Sequence, residues 1–225
     1  MGENMYFQFL IEDSSTEILV RHVMEKLKVK YGHKDVYYDL KSFHGIGHLK
    51  LTGNIKERKS GLLLNDLRHY LCAFDKSLAN MDTAAIVVVL DNDEQEFCEF
   101  KKRLKSIADE CIKSVDHVFC IAVKEMEAWL LGDQNAIRAA YPDAKFKMTK
   151  TYEQDAICDT WQVLADVVYN KGYTGLIKTA KNKYSEIGRV KCEWADKIGA
   201  RLDLENNESP SFNFFIKEIT YRIEA

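Results

Sequence analysis

Long apolar runs are missing from this chain, and so are the familiar signatures of nucleotide and zinc chemistry. No segment approaches the roughly 18 consecutive apolar residues of a membrane-spanning helix, so no membrane association is expected. The first apolar stretch, Met5–Ile11, has no basic flank and runs directly into Glu12 and Asp13. A secretory signal is therefore not expected, and a cytoplasmic location is. The six cysteines (Cys72, Cys98, Cys111, Cys120, Cys158 and Cys192) contain no C-x-x-C pair. That argues against a disulfide framework or a zinc ribbon and for reduced, mostly buried thiols. There is no G-x-x-x-x-G-K-[ST] loop, no H-E-x-x-H and no G-x-S-x-G. A P-loop nucleotide site and a zinc-protease site are thereby excluded, and a serine-hydrolase elbow with them. Repeats and low-complexity segments are absent too. Only two prolines occur, Pro142 and Pro210, and both fall at inferred element boundaries.

What is present is an alternation of strand and helix patterns over the first two-thirds of 225 residues. Strands are expected at Met5–Ile11, Asp35–Phe43, Ala84–Leu90 and His117–Val123, each an apolar or β-branched run. Between them lie helices. The first runs from Ser14 to about Leu27, with Ser14-Ser15-Thr16-Glu17 matching a capping box at its start. The second carries Leu63, Leu67, Leu71 and Leu78, the third Phe97, Phe100, Leu104 and Ile107. A further helix is expected to start within Glu125–Leu131. Parallel strands need crossovers, so this order implies an α/β fold with a mainly parallel sheet and helices on both faces. After Pro142 the strand signals fade. Leu164, Val167 and Val168 have helical spacing, Lys171–Gly175 reads as a loop, and Lys178–Ile198 and Phe212–Ile223 read as helices. The expected division is an α/β domain over 1–142 and a helical region over 143–225 packed on it.

The segment AAIVVVLDND, Ala84–Asp93, is the most informative stretch. A short, uniformly apolar strand is buried on both faces, and in α/β proteins such strands deliver their ends to the edge where ligands bind. Asp91 and Asp93 are hard oxygen donors suited to Mg²⁺ or Mn²⁺. The competing account is a solvated turn, with an Asp capping the helix from Gln95. Two other strands also end in acids: Glu12 and Asp13 after the first, Glu125 and Glu127 after the fourth. A parallel sheet gathers all of these at one edge. Crowded carboxylates resist ionising together, so a compensating cation is expected there. Asp13 is also a candidate cap for the first helix, and one of Glu125 and Glu127 a favourable first-turn acid.

Other features are less specific. The loop His44-Gly45-Ile46-Gly47-His48 offers two imidazoles, or a backbone that approaches a phosphate. Between Lys145 and Arg201 there are 11 Lys/Arg against 7 Asp/Glu, a balance of +4 that leaves −7 on the rest. This basic region is either a phosphate-facing surface or an ordinary solvated helical face. Trp129, Trp161 and Trp194 sit among apolar neighbours at helical spacing, which favours core packing over base stacking.

The arrangement resembles a TOPRIM domain, the metal-binding fold of topoisomerases, DnaG-type primases and OLD-family nucleases. Glu12 in FLIEDSSTE and Asp91 and Asp93 in VVVLDND match that family's acidic positions. The chain is more similar still to a bacterial TOPRIM-like group, domain-of-unknown-function family 4276. The matching segments are KEMEAWLLGD (Lys124–Asp133), WADKIGARLDLENNESPSFNFF (Trp194–Phe215) and FHGIGHLK (Phe43–Lys50), so the likeness spans nearly the whole chain. Asp13 departs from the glycine that many TOPRIM enzymes carry after the first glutamate. No nucleophilic tyrosine domain and no primase zinc module is evident. The resemblance implies partnership with an ATPase in phage defence.

Three functions follow as expectations. The leading one is a Mg²⁺- or Mn²⁺-dependent nuclease in which Glu12, Asp91 and Asp93 hold metal and Glu125 and Glu127 complete or support a second ion, as in two-metal enzymes. Glu12 is then the candidate general acid/base, and His44, His48, Arg58, Lys59, Lys181 and Lys183 are candidate nucleic-acid contacts. The second is a non-catalytic scaffold or regulatory partner that docks on an ATPase or another copy of itself. The third is a phosphotransferase or phosphatase on a small substrate.

Overall fold

The computed structural model describes residues 4–48, 61–147, 152–181 and 183–225. Strands β1 (Met5–Ile11), β2 (Val36–Ser42), β3 (Ala84–Asp91) and β4 (Asp116–Ala122) form one sheet in the order β2-β1-β3-β4. Every neighbouring pair is parallel. Helices α1 (Ser14–Lys30), α2 (Leu63–Leu78) and α3 (Phe97–Cys111) supply the crossovers. Among the described residues six more helices follow β4: α4 (Glu127–Leu131), α5 (Gln134–Ala140), α6 (Thr160–Val168), α7 (Gly172–Ala180), α8 (Tyr184–Gly199) and α9 (Pro210–Glu224).

The period of two along each strand sorts the core into two layers. Phe7, Phe9 and Ile11 of β1 and Ala85, Val87 and Val89 of β3 join α1 and the C-terminal helices on one face. Leu10, Ile86, Val88 and Leu90 meet α2 and α3 on the other. Both faces of β3 are therefore covered, and Ala84–Leu90 is buried without a break. The C-terminal helices share the first layer. The Trp129 ring stacks on Phe215 at 5.1 Å, and its indole N–H donates to Ser211 Oγ at 2.8 Å. Trp194 lies in the same core, and Trp161 packs edge-on against Tyr173 at its margin. All three tryptophans pack against other side chains, as their spacing suggests.

Local differences have clear physical causes. The α1 N-cap is Asp13, whose carboxylate accepts the Thr16 N–H at 2.8 Å and the Ser15 hydroxyl at 2.9 Å. Glu17 makes no capping box; it pairs with Arg21 at 2.6 Å and accepts from the Ser42 hydroxyl. The α3 cap is Glu96, which accepts the Cys98 and Glu99 N–H groups, so Asp93 is not spent on capping. The glycines of Lys171–Gly175 do not mark a loop. Lys171 and Gly172 make the turn with positive φ, and Gly175 sits inside α7, where a Cβ would fall 2.6 Å from Asn170 O. The helix expected over 178–198 is two helices. The chain turns at Lys181, which has φ of 51° and donates its N–H to Ile177 O. Among the described residues no helix is long and apolar enough to cross a membrane.

Strand order locates the ligand edge. From β1 the chain first moves outward to β2, then returns to the other side of β1 for β3. The direction of winding therefore reverses between β1 and β3, and in open α/β sheets the crevice outside the carboxyl ends at such a point takes the ligand.

Candidate functional site

Glu12 and Asp91 stand at that reversal. The β1–β3 register pairs Ile11 with Val89, and the Glu12 N–H donates to Val89 O at 3.1 Å. The chain beyond β1 is thus held against the last residues of β3. The Asp91 N–H donates to Glu12 Oε2 at 2.9 Å, so one carboxylate ties the two strand ends together. Asp91 Oδ1 is buried and has no hydrogen-bond partner among the described residues. Asn92, itself buried, clamps the next strand: its N–H donates to Ala122 O and its Oδ1 accepts the Lys124 N–H at 2.7 Å. Asp93 follows with a left-handed backbone, φ 46°, and donates its N–H to Lys124 O. Its side chain lines a cleft of about 650 Å³ together with Gly47, His48, Arg103 and Glu125.

The cluster is completed from the C-terminal helices. Glu127 opens α4 and is 1% exposed. Lys191, on α8, brings its Nζ to 3.0 Å from Glu127 Oε1. The contact is an ion pair. Burial works against the Lys191 charge, but Glu127, Asp13 and Asp91 together outweigh it and hold the ammonium above its usual range.

The acids feel the opposite field. Burial, then the charges of Asp13 and Asp93, push the Glu12 carboxyl up to about 8, against the lowering pull of the Asp91 N–H. Burial, with Glu12, Glu127 and Asp13 nearby, raises Asp91 well above the carboxylate range. Burial also raises Glu127, offset by Lys191, and raises Asp93, with Glu125 adding to it. The cluster is short of positive charge even with Lys191 in place.

The remaining expected site residues divide. Glu125 reaches the cleft wall, but its Oε2 accepts the Thr160 hydroxyl at 2.7 Å and the Trp161 N–H at 3.1 Å. It thereby caps α6, whose own N-cap residue, Asp159, makes no side-chain cap bond. His48 is exposed on the cleft, its N–H bonded to Asn65 Oδ1. Gly47 lets that loop lie against α2, for a Cβ there would fall 2.7 Å from Leu62 Cβ at φ +69°. His44 is exposed and its N–H donates to Gly61 O. Lys181 and Lys183 are exposed at the α7–α8 turn and do not line the cleft. Arg58 and Lys59 lie outside the described residues.

Lys191 and Asn92 escaped the reading of the sequence. For Lys191 a signal existed. The buried face of α8 is Ile187, Val190, Trp194, Ala195 and Ile198, and Lys191 falls on that face at helical spacing from Ile187, Trp194 and Ala195. A lysine at a core position calls for a buried anion.

Among the described residues no group of three or more His, Cys, Asp or Glu is arranged to hold a metal ion. The donor chemistry nevertheless suits one kind of ion. Mg²⁺ keeps several of its waters and is commonly bound through one or two carboxylates rather than an all-protein cage. Glu12 and Asp91, with the unpartnered buried Asp91 Oδ1, match that requirement.

No curated protein and no solved structure matches the chain. A family model does, over residues 11–220, a span that includes Glu12, Asp91, Asp93, Glu127 and Lys191. By that match the chain belongs to the family described as Domain of unknown function (DUF4276).

Proposed function

We propose that the protein is a Mg²⁺-dependent phosphodiesterase acting on nucleic acid, with Glu12 and Asp91 as the cation's ligands and Asp93 beside them on the cleft. One observation carries this reading. Two carboxylates from different strands are joined at the winding reversal, one with a buried oxygen that no described residue satisfies. Keeping two such carboxyls together is costly, beyond the one bond by which Glu12 joins the strand ends. A hard cation removes the cost. The likeness of FLIEDSSTE and VVVLDND to TOPRIM acidic motifs supports the same reading.

The chain's own groups have defined tasks in it. Glu12 fixes the gap between the strand ends through its bond to the Asp91 N–H. Asp93, raised by burial and by Glu125, lines the cleft and is the candidate general acid/base there. His48 and Arg103, which line the cleft, would meet phosphate oxygens in this reading. A divalent ion held at Glu12 and Asp91 would supply Lewis-acid stabilisation of the charge that develops on the phosphoryl group.

The test is cleavage of single- and double-stranded DNA and RNA with Mg²⁺ or Mn²⁺, compared with EDTA and with Asp91→Asn. Metal-dependent cleavage that Asp91→Asn abolishes supports the reading. Cation binding without cleavage of any of the four substrates, even beside an ATPase partner, overturns it. That result would support a second reading, a scaffold or regulatory partner. Lys191 favours this alternative, because it already neutralises part of the cluster from within the fold.

A further inference from the structure

We propose that a second cavity, next to the cleft, holds an unstacked nucleobase, and that the substrate is therefore single-stranded nucleic acid. The proposal rests on the nucleic-acid reading above and names the substrate class of that site. The cavity, of about 530 Å³, lies between the starts of α3 and α9 along the end of β4. Phe119 and Ile121 share one face of β4 and, with Val123 just beyond it, line the cavity. Phe97 and Phe214 line it from the two helices and remain 37% and 38% exposed. A concave site of this size, with aromatic walls and a few polar groups, is the usual form of a small-ligand pocket.

Cavity and cleft share a wall. Asp93, Glu94 and Gln95 line the cleft, and Phe97, two residues on, lines the cavity. Two residues span at most about 7 Å. A second segment repeats the pattern, with Gln154 and Asp155 on the cavity and Cys158 and Asp159 on the cleft. The Cys158 thiol donates to Asp93 O at 3.4 Å and ties the two segments together. A phosphate in the cleft therefore has its neighbouring base within reach of the cavity.

The chemistry of the cavity fits a base on a phosphodiester strand. Its two part-exposed rings offer surfaces for stacking, which every base can use. Lys101 is exposed and makes no ion pair with a described residue. Its Nζ stands 6.0 Å from the Phe97 ring centre and 5.7 Å from that of Phe214. That places a positive charge on the cavity wall, the complement of a phosphate. Gln154 supplies a hydrogen-bonding group. Its Nε2 donates to Ala128 O at 2.7 Å and to Asp155 Oδ1 at 3.0 Å, which uses both amide hydrogens. Both partners are acceptors, so the orientation of the amide is fixed. The Gln154 carbonyl oxygen is left to accept from the N–H groups on a base's pairing edge. A base paired inside a duplex cannot enter, so the site selects single strands.

The test is binding of the full chain, in Ca²⁺, to a short single-stranded oligonucleotide carrying 2-aminopurine, a base whose fluorescence reports stacking, and to its duplex. The parent should prefer the single strand and shift the fluorescence. Phe97→Ala and Phe214→Ala should each weaken single-strand binding about tenfold and abolish the shift. Phe97→Leu and Phe214→Leu keep the bulk, lose the ring and carry the test should an alanine variant fail to fold. Tyr221→Ala, at an exposed aromatic of α9 that does not line the cavity, should bind like the parent. A parent that binds duplex as tightly as single strands overturns the proposal. So do ring-deleted variants that bind like the parent, or a Tyr221→Ala that loses as much as they do. These results leave the metal-dependent reading standing, since cleavage by the parent against Asp91→Asn tests that separately. If Phe214→Ala dissociates a dimer and leaves oligonucleotide affinity unchanged, the cavity takes a second copy of the chain and the proposal falls. A parent that shifts the fluorescence but cleaves nothing keeps the base site and overturns the metal-dependent reading. A parent that binds no oligonucleotide overturns both.

Discussion

Replacing Asp91 by Asn should stabilise the metal-free protein at alkaline pH, and the structure indicates by how much. Glu12 moves from an ordinary 4.5 to about 8, which at about 1.4 kcal/mol per unit is a cost of roughly 5 kcal/mol for ionising it in the fold. The sign follows from linkage. A carboxyl raised on folding favours the native state while protonated, so that stability is present at low pH and is lost as pH climbs from about 4.5 towards 8. Asp91 is raised in the same direction by burial and by Glu12. An amide at position 91 removes one of the two anions. If their mutual repulsion shifts one carboxyl by about 1–2 in pKa, the gain is about 1.5–3 kcal/mol, or roughly 3–12 °C in melting temperature for a chain of this size. The assay is thermal unfolding of parent and Asp91→Asn in EDTA at pH 5 and pH 8.5. The variant's advantage should already be present but small at pH 5, just above the ordinary carboxylate range, and larger at pH 8.5. Mn²⁺ at a hundredfold excess over its dissociation constant should then stabilise the parent by about 2.7 kcal/mol and leave the variant unmoved. A gap that does not change with pH, or an equal Mn²⁺ response in both proteins, would refute the reasoning.

Three further outcomes are expected. Lys191→Met leaves Glu127 buried beside Asp91 without its cation and should cost about 3–5 kcal/mol in urea unfolding, more at pH 8 than at pH 5; a loss that ignores pH would argue against the ion pair. Glu125→Ala removes the acceptor at the start of α6 and should cost about 1 kcal/mol. Its Mn²⁺-induced shift in melting should match the parent's, and loss of that shift would make Glu125 a ligand instead. Gly47→Ala forces a side chain into φ +69° against Leu62 and Asn65, at about 1–2 kcal/mol for the backbone alone. It should weaken binding of a fluorescent oligonucleotide, measured by anisotropy in Ca²⁺, and unaltered affinity would remove the loop from the binding surface.

Much of the fold was legible because its signals are local. β1 was expected at the residues it occupies, and β3 to within one, because short β-branched apolar runs have few alternatives. Four such runs separated by helices require parallel pairing, and parallel pairing alone carries Glu12 and Asp91 to one edge. The C-terminal half was less legible. Gly172 and Gly175 looked like loop residues because glycine reports a conformation or a close approach equally, and only the packing against Asn170 shows which. The break at Lys181 leaves no proline in the sequence to announce it.

The sequence by itself determined the alternation of elements and the two-sided core, since each depends on spacing within a few residues, and through the parallel pairing these require it implied that Glu12 and Asp91 share one edge. Only the tertiary structure decided what those acids meet. The order β2-β1-β3-β4 places the winding reversal between Glu12 and Asp91. The docking of α6 turns Glu125 into a helix cap. The docking of α8 on α1 carries Lys191 to Glu127, from a position 179 residues beyond Glu12. Contacts of that kind arise from which buried faces fit together, a property of the whole packed chain that no local pattern of residues encodes.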